Sequence, residues 1–183
     1  LADLTAQTVQ CDIQDVDAGL EAYSSPAFYM IPPIDALMQN TIRINRSSTA
    51  DGIELYTTLA HEGYPGHLYQ TVYSSLVCDT QTLPIRKLFS YGGYVEGWAY
   101  YTERISYEYA AQVLAEAEGS LGSSYPAALL CTLLAQQRDL QINLFCLLDL
   151  SLHYYGAEES ELLRSLESFG LSEEQSERVY DYL

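Results

Sequence analysis

The chain has 183 residues and an apolar fraction of 48%, which is enough to bury a core and excludes a disordered tract. Its 8 Lys and Arg against 25 Asp and Glu give a net charge of −17, which argues against binding to nucleic acid or to anionic membranes. No apolar run reaches the roughly 18 residues of a membrane span. We therefore expect one domain over residues 1–183, and, since residue 1 is Leu rather than Met, a fragment of a longer chain.

The pattern along the chain predicts a mainly α fold with one or two short β-strands near residues 41–46. Residues 1–25 are polar and weakly patterned, and Pro26, Pro32 and Pro33 oppose helix formation after them. The alternation over residues 41–45 favours a strand. Helices are expected after it: from a capping box at Asp51 and Glu54 to about His61, from about Gly66 to Val77, a short one starting at Pro84, Tyr94 to about Glu118 with Gly119 as its end, Pro126 to about Tyr155, then 157–169 and Ser172–Leu183.

Two of the three histidines, His61 and His67, fall in one seven-residue segment. Zinc peptidases require three protein ligands, an open position for water, and a carboxylate beside that water as general base. His61 followed directly by Glu62 offers a ligand and a base, because neighbouring residues on a helix point about 100° apart. The alternative is that the two histidines are unrelated surface residues around a helix break.

The spacing of the two histidines requires a break in the helix. On a straight helix, six steps of about 100° would leave His67 roughly 240° around the axis from His61. Pro65 removes a backbone donor, and Gly63 and Gly66 accept backbone angles that other residues avoid. We expect the helix to end near Gly63 and to restart at His67, so that both imidazoles reach one ion.

A third ligand is expected from the segment that contains Glu96 and Glu103. These glutamates are seven residues apart and share one face of the predicted helix. Val95 and Trp98 suggest buried surroundings for Glu96, and Gly97 is expected to admit a close neighbour. The alternative, for Glu103 above all, is an ordinary solvated acidic stripe.

The third histidine, His153, follows Asp149 by four residues at the end of an apolar run. A buried Asp149 would need a partner, and orienting a ligand histidine is one such function. The alternative is an ordinary ion pair at a helix end. The four cysteines show no CxxC spacing, so no cysteine-bound metal is expected, and Cys131 and Cys146 are predicted to be buried thiols.

At these residues the chain resembles a large bacterial family known as domain of unknown function eight-eight-five. Its members are described as predicted lipoproteins and predicted zinc metallopeptidases. The resemblance covers most of residues 26–170, and its marks are His61–His67 with Gln70, Glu96–Ala99 with Tyr101 and Glu103, Tyr29–Pro33, Ile42–Asn45 and Asp149–Gly156.

The resemblance implies a zincin-like helical catalytic region of the gluzincin kind that uses zinc as its cofactor. It implies that His61, His67 and Glu96 are the zinc ligands and that Glu62 is the general base. It also implies that residues 42–45 form an edge strand, which pairs with an extended peptide substrate.

The resemblance further implies a longer protein and a location in the cell envelope or outside the cell. The family extends before Leu1 and beyond Leu183, so regions outside this chain are expected to contribute to the substrate cleft.

We predict from these features that the protein is a zinc-dependent peptidase. Glu62 would take a proton from the zinc-bound water, and His153 or a tyrosine would stabilise the oxyanion. One alternative is a metal-binding but inactive domain, in which Glu103 supplies a fourth protein ligand. Another is a zinc amidase that acts on non-protein peptides. No nucleic-acid partner is expected, and the sequence indicates no oligomeric state.

Overall fold

The computed structural model of the protein describes residues 9–48, 52–78, 89, 91–121 and 126–183. The fold is mainly helical and carries one small sheet, which confirms the predicted fold class. Two compact units make up the chain, Leu1–Thr132 and Leu133–Leu183. Among the described helices, none combines the length and the apolar character needed to cross a bilayer.

The sheet lies in the first unit and contains β1 (Gln10–Asp15), β2 (Ala27–Met30) and β3 (Gln39–Ile44). The strand order is β1-β3-β2, with β3 parallel to β1 and antiparallel to β2. The strand predicted at residues 41–45 is thus confirmed as β3. Its predicted role as an edge strand for a peptide substrate is wrong, because β3 pairs on both sides within the sheet. Among the described strands, the edges are β1 and β2.

Helices form most of the remaining described chain. The break predicted between His61 and His67 is confirmed, and the short helix predicted at Pro84 and the cap at Asp51 lie outside the described residues. Gly119 does not end its helix, which continues to Leu121. The helices are α1 (Gly52–Glu62), α2 (His67–Tyr73), α3 (Gly92–Leu121), α4 (Ala127–Asp149), α5 (Glu159–Ser168) and α6 (Glu173–Tyr182), with 3-10 turns at Glu21–Tyr23 and Ile34–Ala36 and π-helical turns at Ser74–Cys78 and Leu150–Tyr154.

Two apolar clusters hold the helices of the first unit in place. Ile42 and Ile44 of β3 pack with Leu55 and Leu59 of α1, so α1 lies against the sheet. The second cluster is centred on α2 and includes Trp98 of α3; its buried members are Leu68, Tyr69 and Val72. The segment that joins α1 to α2 is therefore anchored on both sides by buried apolar contacts.

The second unit has its own core, in which the side chains of Leu148, Leu162 and Leu166 are buried together. Gly156 (φ 68°) and Gly170 (φ 94°) occupy the left-handed region that favours glycine, and they end the helical segments before them. The predicted capping box of Ser172 and Gln175 is confirmed at the start of α6.

Candidate metal centre

The chain turns sharply between the two histidines. α1 ends at Glu62, residues 63–66 form the turn, and α2 begins at His67. Gly66 makes this turn possible, since a Cβ atom added there would lie 1.7 Å from the carbonyl oxygen of His61. The backbone of Gly66 thus passes directly against the end of α1, and no other residue fits that position.

This turn brings the imidazoles of His61 and His67 together. Their ring centroids are 4.8 Å apart, and the ring planes are inclined by 85°. The Nε2 atoms of His61 and His67 lie 3.5 Å and 3.6 Å from Oε2 of Glu96 on α3. The structure therefore places all three predicted ligands around one point.

The distances from the Glu96 oxygen to the two histidine nitrogens fit an ion of the size of zinc. Two ligand atoms that each lie about 2.0–2.1 Å from one tetrahedral ion are roughly 3.3–3.4 Å from each other. The distances of 3.5 Å and 3.6 Å from the Glu96 oxygen to the two histidine nitrogens are close to this value. Two imidazoles and one carboxylate are also a donor set that zinc accepts in catalytic sites.

The surroundings of Glu96 differ from the expected burial. Its side chain is 65% exposed, and Val95 is also exposed. The close neighbour expected at Gly97 is not found, because no described atom lies within 4 Å of a Cβ built there. Both expectations were drawn from neighbours in sequence. In the structure the first residues of α3, 92–97, are all exposed, and burial begins at Trp98 and Ala99.

Glu103 lies on the other side of the His61 ring. Its Oε2 atom is 3.0 Å from Nδ1 of His61, and its side chain is 8% exposed. The solvated acidic stripe is therefore wrong for Glu103. Burial acts to lower the pKa of His61, but the hydrogen bond to Glu103 and the charges of Glu62, Glu103 and Glu96 outweigh it, and the pKa is raised.

Glu62 is held by the edge strand β2. Its Oε2 atom accepts a hydrogen bond from the backbone N–H of Tyr29 at 2.8 Å. The phenol of Tyr29 in turn donates to Oδ1 of Asn40 at 2.6 Å, and burial raises the pKa of Tyr29 to about 12, so this donor stays protonated. One ligand atom from each of His61, Glu62 and His67 lies within 4.8 Å of the others. The carboxylate of Glu62 thus lies beside the candidate metal position.

Side chains of α3 contact the backbone at the end of α1. The indole N–H of Trp98 donates to the carbonyl of Pro65 at 2.9 Å, and the hydroxyl of Thr102 lies 3.2 Å from the carbonyl of Ala60. Carbonyl groups in the last turn of a helix have no partner within the helix. The carbonyl of Ala60 is in that turn of α1, and the Thr102 hydroxyl reaches it while also lying 2.8 Å from the carbonyl of Ala99. Pro65 lies in the turn after α1, where Trp98 supplies a donor to its carbonyl. Neither contact was predicted from the sequence, nor was the hydrogen bond from Tyr29 to Glu62. Each of them has a backbone group as one partner, and any residue can supply such a group, so no sequence motif marks the contact.

His153 lies in the second unit, and its side chain is 58% exposed. Its Nε2 atom is 3.7 Å from Oδ1 of Asp149 and 3.2 Å from the carbonyl oxygen of Leu183. Asp149 is itself exposed, so the expectation of a buried aspartate is wrong, and the alternative of an ion pair at a helix end fits the contact. A catalytic function for His153 stays a prediction.

The cysteines agree with the predictions in part. Cys131 is a buried free thiol, as expected. Cys146 is free but exposed, because it lies on a face of α4 that the described residues of the second unit do not cover.

The structure defines a mainly helical protein with a small mixed sheet and a surface cluster of histidine and glutamate. The chain belongs to the family described as "Bacterial protein of unknown function (DUF885)", which it matches over residues 2–176. A crystal structure of a putative lipoprotein from Colwellia psychrerythraea has a similar fold, with a TM-score of 0.65 and 21% sequence identity. The likeness covers 96% of this chain and 28% of that one, so this chain spans little more than a quarter of its structural relative. No curated protein matches the sequence.

Proposed function

We propose that this chain carries the zinc centre of a metallopeptidase. The observation that supports the proposal is the convergence of His61, His67 and Glu96. One Glu96 oxygen lies 3.5 Å and 3.6 Å from the two histidine nitrogens, close to the spacing of ligands around one tetrahedral ion. A bacterial family of unknown function provides no activity to compare with, so the proposal rests on the geometry of these residues.

His61, His67 and Glu96 would hold the ion, and Glu62 would act as the general base. When bound, zinc supplies Lewis acidity and lowers the pKa of water to the neutral range. Glu62 accepts a proton from the attacking water, and the N–H of Tyr29 keeps its carboxylate in place. A positioned carboxylate of this kind accelerates hydrolysis by about 10²–10⁴-fold.

Two carboxylates, those of Glu62 and Glu96, lie close enough to the histidines to compete for the third ligand position. We assign Glu96 as the ligand because one of its oxygens is nearly equidistant from both Nε2 atoms. The Oε2 atom of Glu62 accepts the N–H of Tyr29, and this bond ties that carboxylate to β2. This division gives each carboxylate one function.

The alternative of an inactive structural site requires a fourth protein ligand, for which Glu103 is the sequence candidate. Glu103 contacts Nδ1 of His61, whereas Glu96 lies at Nε2. The two nitrogens of an imidazole direct their bonds away from each other, so Glu103 faces away from the ion position. The high exposure of Glu96 also leaves that position accessible to water and substrate. Both features favour an open site.

We further propose a location in the cell envelope. The structural relative from Colwellia psychrerythraea is described as a putative lipoprotein, and lipoproteins are held at a membrane by a lipid anchor. A peptidase in the envelope would meet peptides there, and fractionation of the native host is the direct measurement.

Zinc analysis tests the proposed centre. We expect the metal-free chain to take up one equivalent of zinc and the His61→Ala variant to take up much less, since two ligands would remain. His153→Ala is the matched control, because it removes a histidine whose described contacts are with Asp149 and Leu183. Water relaxation on the cobalt-loaded chain then reports whether the ion carries an exchangeable water.

The two measurements separate the hypotheses. Zinc binding with an exchangeable water supports the peptidase centre, and zinc binding without one supports the inactive structural site. Equal zinc uptake by the wild-type chain and His61→Ala would show that the ligand set is wrong. Peptide and non-peptide amide substrates, compared on the loaded protein, distinguish a peptidase from an amidase.

A further inference from the structure

We propose that Glu103 is a positioning residue, which holds His61 in the tautomer that carries its proton on Nδ1 and leaves Nε2 free for a metal ion. The inference rests on the proposed function, because it concerns how a ligand of that centre is prepared. It assigns a function to a buried carboxylate that the proposed chemistry does not otherwise use.

The first argument is the direction of the hydrogen bond. Oε2 of Glu103 is 3.0 Å from Nδ1 of His61, and an ionised carboxylate can only accept a hydrogen bond. With Glu103 ionised, Nδ1 is the donor in this pair. A neutral imidazole carries one N–H, so a proton on Nδ1 leaves the lone pair on Nε2.

The second argument is burial. The side chain of Glu103 is 8% exposed, and a carboxylate removed from water requires a partner that carries or donates a proton. Its bond to His61 meets that requirement. A proton on Nδ1 of His61 therefore provides the buried carboxylate of Glu103 with a donor and also leaves Nε2 free for a metal ion.

The third argument is that one helix supplies carboxylates to both nitrogens of His61. Glu96 and Glu103 lie two turns apart on α3, at 3.5 Å from Nε2 and 3.0 Å from Nδ1, respectively. The hydroxyl of Thr102, next to Glu103, contacts the carbonyl of Ala60, next to His61. This contact holds the backbones of α1 and α3 together beside the pair, and the hydrogen bond between Glu103 and Nδ1 restrains the rotation of the imidazole. Hydrogen-bonded carboxylates of this type orient histidine ligands in metal sites generally.

The test begins with the tautomer of His61, measured by nitrogen NMR on the labelled metal-free chain at a pH where the imidazole is neutral. We expect the Nδ1–H form in the wild-type protein. In Glu103→Gln we expect a loss of that preference, because an amide can donate to Nδ1 as well as accept from it. Glu108→Gln is the matched control, since it removes a carboxylate from the exposed side of the same helix, where Glu108 pairs with Arg104.

Zinc affinity is the second readout. We expect Glu103→Gln to bind zinc about 10–100-fold more weakly than the wild-type chain, as is usual when the partner of a ligand histidine is removed. Glu108→Gln should bind as the wild type does. Circular dichroism establishes that each variant is folded, and Glu103→Asp, which keeps the charge but shortens the reach, should fall between the wild type and Glu103→Gln.

The outcomes distinguish this inference from the proposed function. If the wild-type chain binds no zinc, the proposed centre fails, and the inference about metal binding fails with it. If the wild type binds zinc while Glu103→Gln and Glu103→Asp keep both its affinity and the Nδ1–H tautomer, the centre stands and the inference is overturned. A fall in folding stability alone, with tautomer and affinity unchanged, would assign Glu103 a structural function only.

Discussion

In the Glu62→Gln variant, we expect peptide hydrolysis to fall by about 10²–10⁴-fold while zinc stays bound. Glutamine has nearly the shape of glutamate, and its amide oxygen can still accept the N–H of Tyr29, which lies 2.8 Å from the native carboxylate. The local structure is therefore retained. The amide cannot accept a proton from water at neutral pH, so the general-base step is lost.

Zinc content and turnover, measured on the same preparations, check this prediction. His61→Ala should lose both quantities, and Glu54→Gln, which removes a carboxylate from the first turn of α1, should lose neither. A longer family member with the same residues is assayed beside this chain, because the chain spans 28% of the length of its structural relative. Zinc loss from Glu62→Gln would make Glu62 a ligand, and full turnover would refute the mechanism.

The Gly66→Ala substitution should lower the free energy of unfolding by about 3 kcal/mol or more, at the upper end of what single substitutions usually cost. The added Cβ atom would lie 1.7 Å from the carbonyl oxygen of His61 and 2.5 Å from that of Ala60. Backbone atoms cannot move aside as the end of a flexible side chain can. The turn must therefore shift, and His67 with it, so zinc affinity should also fall.

Gly97→Ala is the control for Gly66→Ala, because no described atom lies within 4 Å of a Cβ at Gly97. Alanine is favoured over glycine inside a helix, so this variant should gain about 0.5–1 kcal/mol. Urea unfolding followed by circular dichroism measures both changes. If Gly66→Ala were as stable as the wild type, the close approach of the turn to α1 would not exist in solution.

Local chemistry made the helix break and the approach of His61 to His67 predictable from the sequence, whereas the choice of Glu96 over Glu103 came from the family resemblance. Pro65 and the adjacent glycines oppose a continuous helix, and the structure has the break where they lie. Alternation likewise predicted β3. β1 and β2 were not predicted, because β1 is exposed over nearly its whole length and β2 is four residues long, so neither shows a clear alternation.

The functions of Glu96 and Glu103 show why the remainder could not be predicted. Both glutamates occupy one face of α3, and the sequence pattern treats them alike. The structure buries Glu103 against His61 and leaves Glu96 exposed, and this difference depends on where α1 crosses α3. Such a crossing is a property of tertiary packing. The same limitation applies to β3, whose central position in the sheet depends on two partners that the sequence did not reveal.

The hydrogen bonds from α3 to the backbone near the end of α1 have a consequence for the entropy of metal binding. Trp98 and Thr102 fix the two ligand-bearing segments against each other through the carbonyls of Pro65 and Ala60. The conformational entropy of bringing these segments together is thus lost when the protein folds, and little remains to be lost when an ion binds. The site is preorganised, so zinc should bind without a detectable change in helix content.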